Sequence, residues 1–260
     1  MLLKGQVAVV TGGGRGIGRA ISTRFAGEGA KAVVVARTMG EIESVASEII
    51  AAGGRAAAVQ ADVSREEDCQ RIVATAREKF GAVHILVNNA GDYGPVKPVE
   101  EISPAEFDQV IAVHLRGAFL LTRLVLPEMY QRGSGVILNI SSLSAKLAFH
   151  WGSPYAAAKA GILGLTRVTA AEGARKGVRV NAICPGPVTE TQMSKELGQV
   201  LAERMRVSKE EQLAGFLEGI LQGRGQTAGE IAAAALFLVS DQASAITGQA
   251  LNVDGGAAFY

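Results

Sequence analysis

Hydrophobic positions along the chain fall into short β-branched runs separated by longer stretches that carry one apolar face. Val7 to Val10, Ala32 to Ala36 and Ala56 to Gln60 read as strands, with Arg19 to Gly29 and Glu41 to Ala52 as the helices between them. The alternation continues with a helix near Glu66 to Phe80, a strand at Val83 to Val87, a long helix from Ser103 to Tyr130 and a strand at Val136 to Ile140. A helix opening at Pro154, a strand at Val178 to Ile183, a helix at Glu230 to Val239 and a last strand at Ala250 to Val253 bring the total to about seven strands. Ala32-Val33-Val34-Val35 is apolar at successive positions, which predicts burial on both faces of a parallel sheet. No composition break, repeat or linker divides the chain, so the pattern predicts a single doubly wound α/β domain over residues 1–260. Thr189 to Thr227 differs in texture: it is a polar, amphipathic insertion, predicted to form a lid segment.

Composition narrows the function. With 260 residues and 48% hydrophobic content the chain can bury a substantial core. Its 26 Lys and Arg against 25 Asp and Glu leave a formal charge of +1, which gives no field for nucleic acid or an anionic membrane and makes a small molecule the expected ligand. Cys69 and Cys184 are distant in sequence and read as buried packing residues of a reducing compartment. Met1-Leu2-Leu3-Lys4-Gly5 fits no secretory signal, and the longest wholly apolar run, Ile231 to Val239, is far short of the roughly 20 residues that cross a bilayer. These features predict a cytoplasmic protein.

Directly after the first strand stands Thr11-Gly12-Gly13-Gly14-Arg15-Gly16-Ile17-Gly18, followed at once by helix formers. Glycines let backbone N–H groups approach a pyrophosphate, whose charge is then favoured by the helix N-terminus. The spacing T-G-x-x-x-G-x-G resembles that of the short-chain dehydrogenase/reductase family, which implies a Rossmann-type domain binding NAD(P). In such folds an acidic residue ending the second strand holds the adenosine ribose, whereas a basic one accommodates a 2′-phosphate. Here Ala36-Arg37-Thr38 offers Arg37, with Arg15 nearby, so NADP(H) is the expected cofactor and NAD(H) the alternative.

Tyr155 and Lys159 stand at positions i and i+4, hence on one face of the helix that opens at Pro154, and Ser142 follows the fifth strand. The resemblance implies that Ser142 orients the carbonyl or hydroxyl, that Tyr155 is the general acid/base, and that Lys159 binds the nicotinamide ribose and assists Tyr155. A free phenol titrates near pH 10, so action as a base near neutrality requires a downward shift of about three units, expected from the Lys159 ammonium together with the positive oxidised nicotinamide. The resemblance extends along the chain. Asp62-Val63 matches the family's adenine contact, Asn88-Asn89-Ala90-Gly91 its cofactor-side turn, and Pro185-Gly186-Pro187-Val188 its carboxamide site, with Thr191 or Thr189 as the accompanying threonine. Asn89 reads equally well as ordinary turn chemistry.

One position departs from the family. His114, on the long helix, falls where an asparagine usually completes a proton relay; it reads either as a water-holding or proton-shuttling group or as a satisfied core histidine. His84 reads as structural, and His150-Trp151 as part of the pocket wall. No Cys/His/carboxylate spacing suggests a metal. The predicted pocket segments, Asp92 to Pro98, Leu143 to Pro154 and Thr189 to Arg224, bring Tyr93, Phe149 and Trp151 to an apolar ketone. The first reading the resemblance implies is a 3-oxoacyl-carrier-protein reductase-like enzyme reducing a β-keto thioester with NADPH, with Arg132 and Lys176 as candidates for docking an acidic acyl carrier protein; the alternative is a sugar-alcohol or cyclic secondary-alcohol dehydrogenase. A non-catalytic NADP(H) sensor is the reading from another class. Family members commonly form homotetramers through the two long helices.

Overall fold

A computed structural model describes residues 1–260. Seven parallel strands form one sheet in the order β3-β2-β1-β4-β5-β6-β7, with the sequence order reversing direction between β1 and β4. The strands are β1 (Val7–Thr11), β2 (Lys31–Ala36), β3 (Arg55–Gln60), β4 (Ile85–Asn88), β5 (Gly135–Ile140), β6 (Val178–Pro185) and β7 (Ala250–Val253). Every residue of β1 is buried, as a strand covered on both faces must be. One face packs Val9, Val33, Leu86 and Ile137 under α3 (Glu66–Phe80) and the long helix; the other packs Ala8, Val10, Val87 and Leu138 under α1 (Gly16–Gly27) and the apolar α9 (Ala228–Val239). Cys69 and Cys184 are free and buried, packing as small apolar groups.

The long helix is where sequence and structure part most. Ser103 caps its start through a reciprocal capping box with Glu106, and the helical run extends to Arg132 as α4 (Pro104–Ile111), a π-helical turn (Ala112–Arg116) and α5 (Gly117–Arg132). A π-helical turn carries no residue signature of its own, so the sequence pattern predicts one helix running through it. This 29-residue helix is apolar enough on average to match a membrane span, yet half of its most apolar window is buried, as in a core helix. The Thr189 to Thr227 insertion folds into α7 (Gln192–Met205) and α8 (Lys209–Glu218), which project over the C-terminal ends of the strands. The remaining helices, α2 (Met39–Ala51) and α6 (Ser153–Gly173), complete the two layers. Sequence-predicted boundaries are displaced by up to three residues, most at α1, which starts at Gly16 and not Arg19; at β4, Val83 and His84 precede the strand and the His84 ring accepts the Val7 amide at 3.1 Å.

Candidate active site

Two cavities open on the C-terminal edge of the sheet, and Ile17, Asn89, Gly91, Thr191 and Met193 line both, so they form one crevice. The narrower part, 180 Å³, runs along the glycine turn. There α1 begins with no side-chain cap and no acidic residue in its first turn, whereas α4, α8 and α9 all begin with capping boxes. Its first amides are therefore left for an external anion. A Cβ on Gly18 would overlap the Gly12 carbonyl oxygen, and Gly12 and Gly16 hold φ of 63° and 52°, so this cradle admits only glycine backbone. Asn89 Nδ2 donates to the Thr11 and Gly12 carbonyls at 2.8 and 3.2 Å and ties the turn to β4. The chemistry of this cradle fits a dinucleotide pyrophosphate.

Gly14, Arg15, Ala90, Val63, Asp62, Arg37 and Thr38 line the same arm, bringing together the cofactor-side residues that the sequence singled out. Asp62 Oδ1 is engaged by the Ser64 amide and hydroxyl at 2.9 and 2.7 Å, so its carboxylate shapes its own turn. Beyond Ala36-Arg37-Thr38 the adenosine end also holds a carboxylate, Glu41, which lines the crevice and lies 4.0 Å from Arg15. Arg15 is therefore shared with Glu41, while exposed Arg37 has no carboxylate within that distance. Glu41 comes from the first turn of α2, beyond the strand end where a ribose-binding acid normally stands.

The wider part, 860 Å³, contains Ser142, Tyr155, Lys159 and His114 together with Pro185, Gly186 and Val188. Ser142 follows β5 and accepts the Ser144 amide at 3.1 Å. Tyr155 and Lys159 face inward from the first turns of α6 as their spacing predicted. The Lys159 ammonium donates to the Ile140 carbonyl at 2.7 Å and lies 5.5 Å from the Tyr155 ring centroid. Burial pushes Lys159 down to about 8 and Tyr155 up to about 12, and a hydrogen bond from Ser142 only partly opposes the latter. Desolvation is thus the largest influence on the phenol. In this state Tyr155 is a proton donor.

His114 projects inward from the π-helical turn and is 4% exposed. At Nε2 the contact to the Asp92 carbonyl, 2.8 Å, is shorter than that to the Asp92 amide, 3.3 Å, which assigns the ring proton to Nε2. Burial, then the Lys159 charge, push its pKa down to about 3, so the ring is neutral. Its Nδ1 is buried without a partner, and its edge meets the Tyr155 ring at 5.4 Å. Gly91 makes room for the ring, since a Cβ there would overlap Cε1. Of the two threonines, Thr191 lies at the junction of the two arms, against Gly16, donating to the Val188 carbonyl at 2.9 Å; Thr189 packs toward Gly225. His150 is exposed beside Trp151 at the mouth. Within the predicted pocket segment Thr189 to Arg224, α7 and α8 bring Met193, Leu197, Leu201, Met205 and Phe216 to the wall.

A parallel, doubly wound sheet with a glycine cradle and a tyrosine and lysine at its carboxyl edge defines a nucleotide-dependent oxidoreductase. Residues 6–202 match the family model described as short chain dehydrogenase, and the chain belongs to that family. It is an oxidoreductase acting on CH–OH and C=O groups with a nicotinamide nucleotide. It is 37% identical to levodione reductase of Leifsonia aquatica, over 96% of this chain and 93% of that protein. Actinorhodin polyketide ketoreductase, solved with NADPH, superposes with a TM-score of 0.94 at 35% identity, covering 98% of each chain. The 3-ketoacyl-(acyl-carrier-protein) reductase of Brucella melitensis, complexed with NADH, gives 0.88 at 38% identity over 99% of this chain and 100% of its own.

Proposed function

We propose that this chain is a cytoplasmic, NADP(H)-preferring reductase that converts a ketone to a secondary alcohol, its residues 1–260 acting as one domain with 189–227 as the lid. The observation that carries this reading is the convergence of Ser142, Tyr155 and Lys159 on an apolar cavity that adjoins the glycine cradle. When bound, the cofactor supplies hydride to the carbonyl carbon. The Tyr155 phenol donates its proton to the carbonyl oxygen, which suits a group held well above neutrality. Ser142 Oγ orients that oxygen, and the Lys159 cation stabilises the charge left on Tyr155. His114, neutral and with Nδ1 as acceptor, holds the proton donor that refills Tyr155. Arg37, exposed at the adenosine end, accounts for the 2′-phosphate preference.

A β-keto thioester on acyl carrier protein is the second reading, favoured by likeness to the Brucella reductase. Its proposed docking residues do not support it. Arg132 Nη2 donates to the Val83 and Ser134 carbonyls and its Nη1 is buried, the Lys176 ammonium sits 4.1 Å over Tyr130, and the two residues precede β5 and β6 respectively, at the sheet edge opposite the crevice. A sensor role leaves the Tyr155 and Lys159 pair without purpose, and a polyol substrate leaves the apolar wall unmatched. Exposed Phe119 on α5 and Val168 on α6 support a homotetramer built through the long helices.

The test is NADPH oxidation with a ketone panel by the wild type and by Tyr155→Phe. Turnover should fall about 10³-fold in the variant while NADPH binding is retained. Undiminished turnover removes Tyr155 as the proton donor.

A further inference from the structure

The substrate part of the crevice is built from rings contributed by three separate segments. Tyr93, from the loop after β4, stacks on Tyr155 with centroids 4.7 Å apart and an interplanar angle of 26°. Phe149, from the loop before α6, meets Phe216 of α8 at 5.8 Å. The Trp151 ring carries the Arg204 guanidinium of α7 at 5.8 Å. Both lid helices are thus latched to the loop between Ser142 and Tyr155 through aromatic contacts, and Leu197, Leu201 and Met205 fill the wall between them. Trp151 holds φ of 66°, unusual for so bulky a residue, and its carbonyl is fixed by the Lys97 amide at 3.1 Å. Such a conformation persists only where its surroundings over-determine it, and it is common at ligand clamps.

Charge is distributed in the opposite sense. No arginine and no aspartate line this cavity. The one cation in its interior is Lys159, and its ammonium is already bound to the Ile140 carbonyl. Lys195 and Lys209 are exposed at the rim, and the Glu211 carboxylate is engaged with Ser208 in a capping box. An anionic substrate would be desolvated there without a bidentate partner, whereas a flat apolar ring would meet aromatic faces and flexible Leu and Met side chains.

We infer that the substrate is an uncharged ketone borne on or beside a ring system, clamped between the Tyr93 and Trp151 wall and Phe216 of the lid. This rests on the reductase reading above and specifies its substrate class: the enzyme discriminates against small carboxylate ketones because no arginine lines the cavity, and against small polyols because the Ser, Thr and Gln side chains of the wall are interspersed with rings and aliphatic groups that a polyol leaves unfilled, and lid closure is secured by the two latches.

The experiment compares 2-tetralone, acetoacetate and dihydroxyacetone as oxidants of NADPH. The value of kcat/KM should favour 2-tetralone by about 10²-fold or more over each of the others. Phe216→Ala should lower that preference about tenfold through KM, and Phe216→Tyr, which keeps the ring, should restore it. Trp151 is the chain's single tryptophan, so binding can be read independently of turnover. In the Tyr155→Phe variant, 2-tetralone should quench its fluorescence and acetoacetate should not. Equal or better turnover of acetoacetate or dihydroxyacetone overturns the ring preference and leaves the reductase reading standing. No NADPH consumption with any of the three overturns both.

Discussion

The two arms of the crevice are built by different means. Along the glycine turn the walls are main chain: the Gly13 amide bonds the Val35 carbonyl at 2.9 Å, Asn89 binds two carbonyls of the turn, and Gly18 abuts Gly12 with no room for a methyl group. On the substrate side the walls are side chains carried by α7 and α8, whose Met205 and Leu213 are 52% and 41% exposed and whose attachment rests on ring contacts. A backbone-walled site tolerates almost no variation, whereas a side-chain-walled site can be rebuilt residue by residue. On the function proposed above, one arm keeps the cofactor and the other is free to set the substrate.

This contrast can be broken at its rigid end. Gly18→Ala should reduce kcat/KM for NADPH about 10³-fold, because the new methyl group displaces the turn that meets the pyrophosphate. Isothermal titration with NADPH checks it, and unchanged affinity would mean that the cradle yields. At the junction of the arms the expected effect depends on pH. Lys159 is charged below about 8 and loses its proton above it, while Tyr155 remains a phenol up to about 12. Ketone reduction should therefore hold level below about pH 8 and fall roughly tenfold per unit above it, and a profile flat to pH 10 would detach Lys159 from the rate. At the open outer end, Arg37→Ala should shift the NADPH to NADH ratio of kcat/KM by only about tenfold, since a single exposed guanidinium is screened and Arg15 persists beside it. A ratio that does not move would assign the preference elsewhere.

The same division explains what was legible in the sequence. Continuous apolar strands, the glycine spacing and the i, i+4 pair of Tyr155 and Lys159 are local patterns, and the fold and the cofactor cradle follow from them. Glu41, the orphaned Nδ1 of His114 and the Phe149 to Phe216 latch are contacts between segments remote in sequence, which no local period encodes. The same holds for ionisation: the proximity of Lys159 to Tyr155 is visible as spacing, whereas the desolvation that raises the phenol's pKa is a property of the assembled interior.

The wide turn at Ala112–Arg116 has a mechanical consequence. It places one surplus residue inside an otherwise continuous rod, so the segment before it and the segment after it are out of phase by about one residue's rotation, roughly 100°. Removing a single residue there would wind the rod back to a regular pitch and swing the Pro104–Ile111 half around its axis, carrying its inner face out toward water. The chain thus holds its one central imidazole in place through an irregularity of winding, and the inherited length of that stretch is as much a part of the site as any side chain in it.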